Sequence, residues 1–380
     1  MIDFQTTEEQ DALIEAARRF TRERITPIAA QCDRDSHFPV EVFKEGWKLG
    51  LVNPTLEAEF GGPGLSDLDS TFVTEELAYG CTGIQTSFTD NTLGLTPLRL
   101  AGTPEQKKKY LGWLGQEPIF CAYATTEAGA GSDVAAMRTK ATRQSDGSYV
   151  LTGEKAWITN ANLASFYTIF ATEDVALRHK GIGAFIVHRD ARGVSVGKHE
   201  DKIGQRASDT AVVTLDEVVV PAGQVLAPPG HGFKLAMETF NTTRPDIGAA
   251  AVGLMRRCLD ECVAYAKERK TFGQPIAQHQ LVQAMIAEMA IRIEAAGLLV
   301  RKAAWNLDHG VRDSVVSSYA KAYATDGAMA TATDAVQIFG ANGCVKEYPV
   351  EKLMRDAKIL QIYEGTSQIQ RVVIARHALA

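Results

Sequence analysis

The feature that constrains this chain most is a change of periodicity in its middle. From residue 120 to residue 227, short apolar stretches alternate with turn signals. Tyr149–Gly153, Phe166–Phe170, Ile182–Val187 and Ala211–Leu215 read as strands. Asp146-Gly147 is a hairpin turn signal. On either side the apolar spacing is helical. Thr7-Glu8-Glu9 leads into Leu13, Ala16, Ala17 and Phe20, a helix start with acids in its first turn. After the loop Phe60-Gly61-Gly62-Pro63-Gly64 the pattern resumes over Ser66–Leu77, and Ala78–Leu100 is small and apolar enough to be buried. Ala249–Arg269 and Gln280–Ala304 repeat the helical spacing, and Gly340 and Gly343 punctuate a loop. The expected class is α+β: a helical unit over 1–119, a β unit over 120–227 and a helical unit over 228–380. Long helices with small apolar faces suit an internal bundle and equally an interface between copies.

Composition narrows the function. The chain has 380 residues, 45% of them hydrophobic and 23% charged, enough for a large core in two or three units. A net charge of -6 argues against a nucleic-acid partner. The run Lys107-Lys108-Lys109 is short and reads as a solvated helix face. Cys32, Cys81, Cys121, Cys258, Cys262 and Cys344 show neither CxxC nor zinc-site spacing, so free thiols and no metal are expected. The opening MIDFQTTEEQ resembles neither a secretory signal nor a transit peptide, and no apolar run reaches the ~18 residues a membrane span needs. A cytoplasmic chain without membrane insertion is the expectation.

Four segments carry chemistry. In Ile362-Tyr363-Glu364-Gly365-Thr366-Ser367-Gln368 a carboxylate stands directly before glycine at a loop-to-helix junction. Gly365 permits unusual dihedrals, and Thr366 or Ser367 can cap the next helix. A solvent-facing acid at a helix start fits the same letters. Tyr123-Ala124-Thr125-Thr126-Glu127-Ala128-Gly129-Ala130-Gly131-Ser132-Asp133 offers hydroxyl donors and a backbone open to close approach, with Ser132-Asp133 suited to a turn or cap. It is neither a P-loop nor a GxGxxG fingerprint, and an ordinary glycine-rich loop also explains it. Within Glu154–Asn160, Trp157 and Thr159 share one side of a strand, as a stacking face and a hydroxyl or as a packed strand end. Arg269-Lys270-Thr271-Phe272-Gly273 reads by itself as a helix C-terminus with favourable charge.

In combination, the runs TEAGAGSD, WITN, RKTFG and YEGTSQIQR resemble the acyl-CoA dehydrogenase family over essentially the whole chain, and within it most of all the medium-chain enzymes. The resemblance implies an N-terminal helical domain, a middle β domain and a C-terminal four-helix-bundle domain, assembled as a homotetramer that is a dimer of dimers. It implies FAD as cofactor, an acyl-CoA substrate dehydrogenated at C2 and C3, and electron-transfer flavoprotein as acceptor. Glu364 is then the catalytic base, with Tyr363 and Arg244 at the substrate and the Glu364 N–H donating to the thioester oxygen. Some relatives carry the base on an earlier helix; the matching position here is Thr243, which is no competitor. Tyr123, Thr125, Thr126, Trp157 and Thr159 match the flavin site. Gly131 and Ser132 match the strip between flavin and CoA, with Ser132 on the CoA side. Arg269, Phe272, Gln337 and Gly340 match contacts to the FAD of a neighbouring subunit, and Thr366 and Gln368 match further FAD contacts. Ala128 and Ala341 depart from the family's usual Pro and Gly; the first loosens a turn and the second slightly crowds the pyrophosphate, and neither is expected to abolish binding.

One further departure bears on substrate. Thr86 and Asp90 lie on one face of the helix that resembles the floor of the acyl pocket, where a small residue is usual in place of Asp90. A carboxylate beside an aliphatic chain is costly unless paired or protonated. Asp90 therefore either pairs with a neighbour or water, or meets a polar or alicyclic acyl group. An acyl-CoA oxidase, a flavin monooxygenase on the same fold and a non-catalytic flavin- or CoA-binding protein are the rival readings; chain length disfavours the first, and the presence of Glu364 the other two.

Overall fold

The computed structural model describes residues 5–380; Met1–Phe4, the start of the stretch expected to lack a leader, lie outside them. The N-terminal part holds α1 (Glu8–Phe20), α2 (Ala29–Asp35), α3 (Val40–Lys48), α4 (Asp67–Ala101), α5 (Pro104–Gln106) and α6 (Gly112–Gln116). Thr7 and Gln10 close a reciprocal capping box on α1, as the acidic start suggests. The two segments read as Ser66–Leu77 and Ala78–Leu100 form one helix, α4, capped by Ser66. Its interior is broken once, at Cys81 (φ -164°, ψ 109°), between Gly80 and Gly83. Almost the whole of α4 is buried, because neighbours pack on all its sides.

The middle part is a mixed sheet in the order β6 (Val194–Val196), β7 (Thr210–Val220), β3 (Tyr149–Thr159), β2 (Lys140–Arg143), β4 (Ala164–Thr172), β5 (Ile182–His188), β8 (Val225–Ala227), with β1 (Phe120–Ala124) parallel to β4. All four segments expected as strands are strands, and β2 and β3 pair antiparallel across the Asp146-Gly147 turn, with Gly147 at φ 84°. One face of the sheet packs its own core of Tyr149, Leu151, Tyr167, Phe185 and Val213. The other lies against α4 and the helix that follows the sheet.

That helix is α7 (Gly232–Glu268), longer than the Ala249–Arg269 its spacing marks. With α8 (Gln280–Asp308) and α9 (Ser314–Phe339) it forms an alanine-rich bundle completed by α10 (Val350–Leu360) and α11 (Ser367–Ala378). Alanine and glycine at the seams let backbones approach closely. A Cβ at Gly253 of α7 would collide with the Glu75 carbonyl of α4. Asp308, the last residue of α8, accepts hydrogen bonds from Asp67 N (2.6 Å) and Leu68 N (3.0 Å), so the C-terminal bundle caps the N-terminal helix α4. Among the described residues no helix is long and apolar enough to cross a membrane, and all six cysteines are free.

Gly253→Ala should therefore force α4 from α7 and destabilise the protein by about 1–3 kcal/mol. Thermal unfolding should show a lower Tm; an unchanged Tm would mean the seam relaxes freely.

Candidate active site

A cavity of ≈ 480 Å³ opens where α4, the residues after β1, the end of β3, α7 and the α10–α11 turn converge. The α10–α11 turn places the acid. Glu364 has φ 50° and Gly365 φ 91°, two successive left-handed residues, and Thr366 caps α11 by accepting from Ile369 N. A non-glycine residue in that region costs about 1–3 kcal/mol and persists only when its surroundings hold it. Three side chains do so. Gln370 Nε2 donates to the Glu364 and Gly365 carbonyls (3.3 and 2.9 Å), Arg244 Nε to the Glu364 carbonyl (3.4 Å) and Lys321 Nζ to the Gly365 carbonyl (2.7 Å). The Thr243 hydroxyl donates to Glu364 Oε2 at 2.7 Å. Burial pushes the Glu364 carboxyl up to about 7, opposed by the Thr243 hydrogen bond and by the Arg244 and Lys321 cations. Among the described residues the Glu364 N–H donates to no protein acceptor.

Arg244 precedes Pro245, inside α7. Proline lacks the N–H that would bond the Asn241 carbonyl, and Ser317 of α9 supplies the missing donor at 3.0 Å. Arg244 Nη1 also donates to Asn241 Oδ1 (2.9 Å), so its guanidinium is fixed across the cavity wall.

The segment after β1 forms the opposite wall. Tyr123, Thr126, Ala128, Gly131 and Ser132 line the cavity, while Thr125 sits behind them. Glu127 ties the loop together: it accepts from Arg138 N (2.6 Å), Thr139 N (2.8 Å), Thr139 Oγ1 (2.6 Å) and the buried Lys155 Nζ (2.8 Å). Lys155 also donates to the Thr125 carbonyl (3.2 Å). Burial pulls Lys155 down to about 8 against the attraction of Glu127. Asp133 caps nothing; it pairs with Arg178 at 2.8 Å instead. Trp157 and Thr159 both face the cavity, but not by simple alternation. The β3–β7 register slips between Lys155 and Ile158, Trp157 takes φ 60°, and its indole is 59% exposed.

Thr86 and Asp90 share the α4 face that lines the cavity, with Thr89 and Leu93. Thr86 Oγ1 bonds the Gln205 side chain (2.9 Å) and lies 3.5 Å from Tyr363 Oη. Asp90 is 8% exposed and its Oδ2 has no hydrogen-bond partner; burial, then the negative charges of Glu364 and Asp209, hold its carboxyl well above the usual range. Other expected residues lie elsewhere. Gln368 is exposed and outside the cavity, because the first turn of α11 turns Ile369 inward instead. Arg269 ends α7, Phe272 is 96% exposed, and Gln337 and Gly340 end α9; none lines the cavity. The sequence carries no signal for the Lys321 and Lys155 contacts, both made by buried lysines across long separations, nor for Phe233, Met237 and Phe240, which read as ordinary helix core.

Tyr123 Oη and Thr125 Oγ1 are buried with no hydrogen-bond partner among the described residues beyond one another, and a Cβ at Gly129 or Gly131 would meet nothing within 4 Å. With the exposed indole of Trp157, these features fit a large planar group with hydrogen-bonding edges.

The chain matches the family descriptions "Acyl-CoA dehydrogenase, N-terminal domain" over residues 7–117, "Acyl-CoA dehydrogenase, middle domain" over 122–218 and "Acyl-CoA dehydrogenase, C-terminal domain" over 230–379. It is 45% identical over 381 residues, 100% of this chain and 92% of the relative, to a probable medium-chain specific acyl-CoA dehydrogenase 2, mitochondrial, of Caenorhabditis briggsae. It is 42% identical over 378 residues, 99% of both chains, to the cyclohexane-1-carbonyl-CoA dehydrogenase of Geobacter metallireducens. The solved butyryl-CoA dehydrogenase of Megasphaera elsdenii superposes with a TM-score of 0.97 at 36% identity over 100% of both chains. Solved chains of this fold hold FAD.

Lys155→Met would leave Glu127 buried and unpaired. It should cost about 3–5 kcal/mol in denaturant unfolding. A loss under about 1 kcal/mol would show that Glu127 relaxes to solvent.

Proposed function

The chain belongs to the acyl-CoA dehydrogenase family, and from that premise we propose that Glu364 removes the C2 proton of a short- or medium-chain acyl-CoA bound in this cavity. The observation that carries this reading is a half-buried carboxyl, pushed up to about 7, held on a strained turn facing the cavity. A base with a pKa near the working pH accepts a proton efficiently. The chain is an oxidoreductase, and FAD is its cofactor.

FAD, when bound, supplies the two-electron acceptor for the hydrogen that leaves C3 as hydride. The protein's own residues do the rest. Glu364 takes the C2 proton, and Thr243 orients the carboxylate that takes it. The unpaired Glu364 N–H points to a donor for the thioester oxygen, where negative charge develops as the C2–H bond breaks. Leu93, Phe240 and Ile247 exclude water from the acyl chain. Tyr123, Thr125, Thr126, Trp157, Thr159 and Thr366 would hold the flavin, Gly131 and Ser132 the strip where CoA approaches. The product is a trans-2-enoyl-CoA. Electron-transfer flavoprotein is the proposed external acceptor.

Arg269, Phe272, Gln337 and Gly340 fit an FAD bound by a second copy, since they cluster away from this cavity. Leu281, Ile291, Leu298 and Trp305 form an exposed apolar stripe along α8, Leu281 being 82% exposed. That stripe supports a homotetramer in which copies complete one another's flavin sites.

A second reading of the substrate rests on Asp90. An enclosed carboxyl beside the acyl path, whose burial disfavours its charged form, favours a polar or alicyclic acyl group over a plain alkyl chain, as in the relative that acts on cyclohexane-1-carbonyl-CoA.

Anaerobic titration of the holoenzyme with butyryl-, octanoyl- and cyclohexanecarboxyl-CoA should bleach the flavin band, and Glu364→Gln should slow that bleaching by ~100-fold or more. Retained rates in Glu364→Gln would remove the base from this position. In the native enzyme kcat/KM should level off above pH ~7 and fall below it, since only ionised Glu364 accepts a proton. Asp90→Asn should depress turnover of the cyclic thioester more than that of butyryl-CoA; equal turnover of both, unchanged from wild type, would leave Asp90 without a role in substrate choice.

A further inference from the structure

The protein buries two lysines completely, and they are not equivalent. Lys155 has a carboxylate at 2.8 Å. Lys321, on α9, is 0% exposed and forms no ion pair among the described residues; its one hydrogen bond is the 2.7 Å contact to the Gly365 carbonyl. A buried ammonium without a paired carboxylate is expensive, and such a group persists where surrounding charge repays part of the cost. The charges that face Lys321 are Glu364 from the α10–α11 turn, Arg244 from α7 and Asp326 from its own helix. Asp326 is engaged elsewhere, by Gln361, Ser367 and Arg371. Glu364 is thus the negative group left to offset it.

We propose that Lys321 is a positioning residue: it clamps the left-handed Glu364–Gly365 turn through the Gly365 carbonyl, and its charge favours the ionised form of the half-buried Glu364. The proposal rests on Glu364 being the base. Two donors grip the same turn and differ in kind. Gln370 Nε2 is a neutral clamp on the Glu364 and Gly365 carbonyls; Lys321 is a charged one on the second. Burial draws the Lys321 ammonium down to about 7, against the attraction of Glu364. The other groups facing Glu364 are Thr243 and Arg244 from α7, Asp90 from α4, Asp246 from α7 and Tyr123 from β1, with Tyr363 beside it. Arg244 is the one other cation among them, and its guanidinium is shared with Asn241. Removing Lys321 therefore removes one of two positive charges that oppose protonation of the base.

The sign follows directly. Losing a nearby cation raises the pKa of a carboxyl, so the acidic limb of kcat/KM moves to higher pH. An opposite charge at close range is worth about one to three pH units, and the smaller figure applies where a second cation remains.

The test uses four holoenzymes: Lys321→Gln, Lys321→Met, Gln370→Met and Glu364→Gln, with flavin content and thermal unfolding recorded for each. Glu364→Gln fixes the premise: if it keeps wild-type turnover, the base assignment fails first. With that variant inactive, Lys321→Gln should hold kcat at pH 9 within about threefold while its acidic limb shifts up by ~1 pH unit. Lys321→Met should show the same shift with kcat reduced ~10-fold or more and KM within a few-fold. Gln370→Met should lower kcat and leave the limb in place. An unmoved limb in both Lys321 variants overturns the proposal. So does failure of both to fold or to retain flavin, which makes Lys321 a structural residue.

Discussion

Close packing of α4 against α7 is the constraint on which the site depends. Backbone meets backbone where Gly253 lies on the Glu75 carbonyl, and Arg256 bridges Glu75 and Glu76 at 2.8 Å beside it. No larger residue fits at that seam. Because the helices are locked there, Thr86 and Asp90 on one come to face Phe240 and Arg244 on the other across a single cavity. The α10–α11 turn then inserts Glu364 between them. Small residues in α4 and α7 are thus a requirement of geometry and not merely of helix propensity.

Much of this was legible in the letters. Period-two segments between helical ones named the sheet and its flanking bundles, because burial on one side of a strand and along one stripe of a helix leaves different spacings. Glu364-Gly365-Thr366 named a strained turn and a cap, and the structure has both. What stayed hidden depends on long-range contact. Nothing near Lys321 in sequence points to Gly365, and nothing near Lys155 points to Glu127. Thr243 reads as an absent acid, yet its hydroxyl bonds the carboxylate. Trp157 and Thr159 share the cavity as alternation suggests, but the register slip between Lys155 and Ile158 and the positive φ of Trp157 were not legible in the letters. The cap at Thr366 sets the rotation of α11, and that rotation turns Ile369, not Gln368, into this cavity.

Buried charge is distributed with a pattern. Glu127 and Lys155 neutralise one another and stiffen the loop after β1. Lys352 and Asp356 do the same on α10 at 2.6 Å, and Asp356 accepts from Gln205 N. Gln205 in turn reaches the Thr86 hydroxyl and the Tyr363 hydroxyl, so a structural ion pair on α10 ends at the cavity floor. Glu364, Asp90 and Lys321 have no such close ionic partner. Arg244, Asp209 and Asp246 are likewise buried without an ion pair among the described residues, so the unpaired charges include the cavity wall but are not confined to it.

Asp308 ties together parts of the chain that are 240 residues apart. The first amides of α4 find their protein acceptor only when the end of α8 is folded, so fraying of that distant tip hands two exposed donors of the helix that floors the pocket back to solvent. Amide exchange at the two ends would then be governed by one opening event, and the N-terminal and C-terminal helices behave as a single cooperative unit with the sheet enclosed in it.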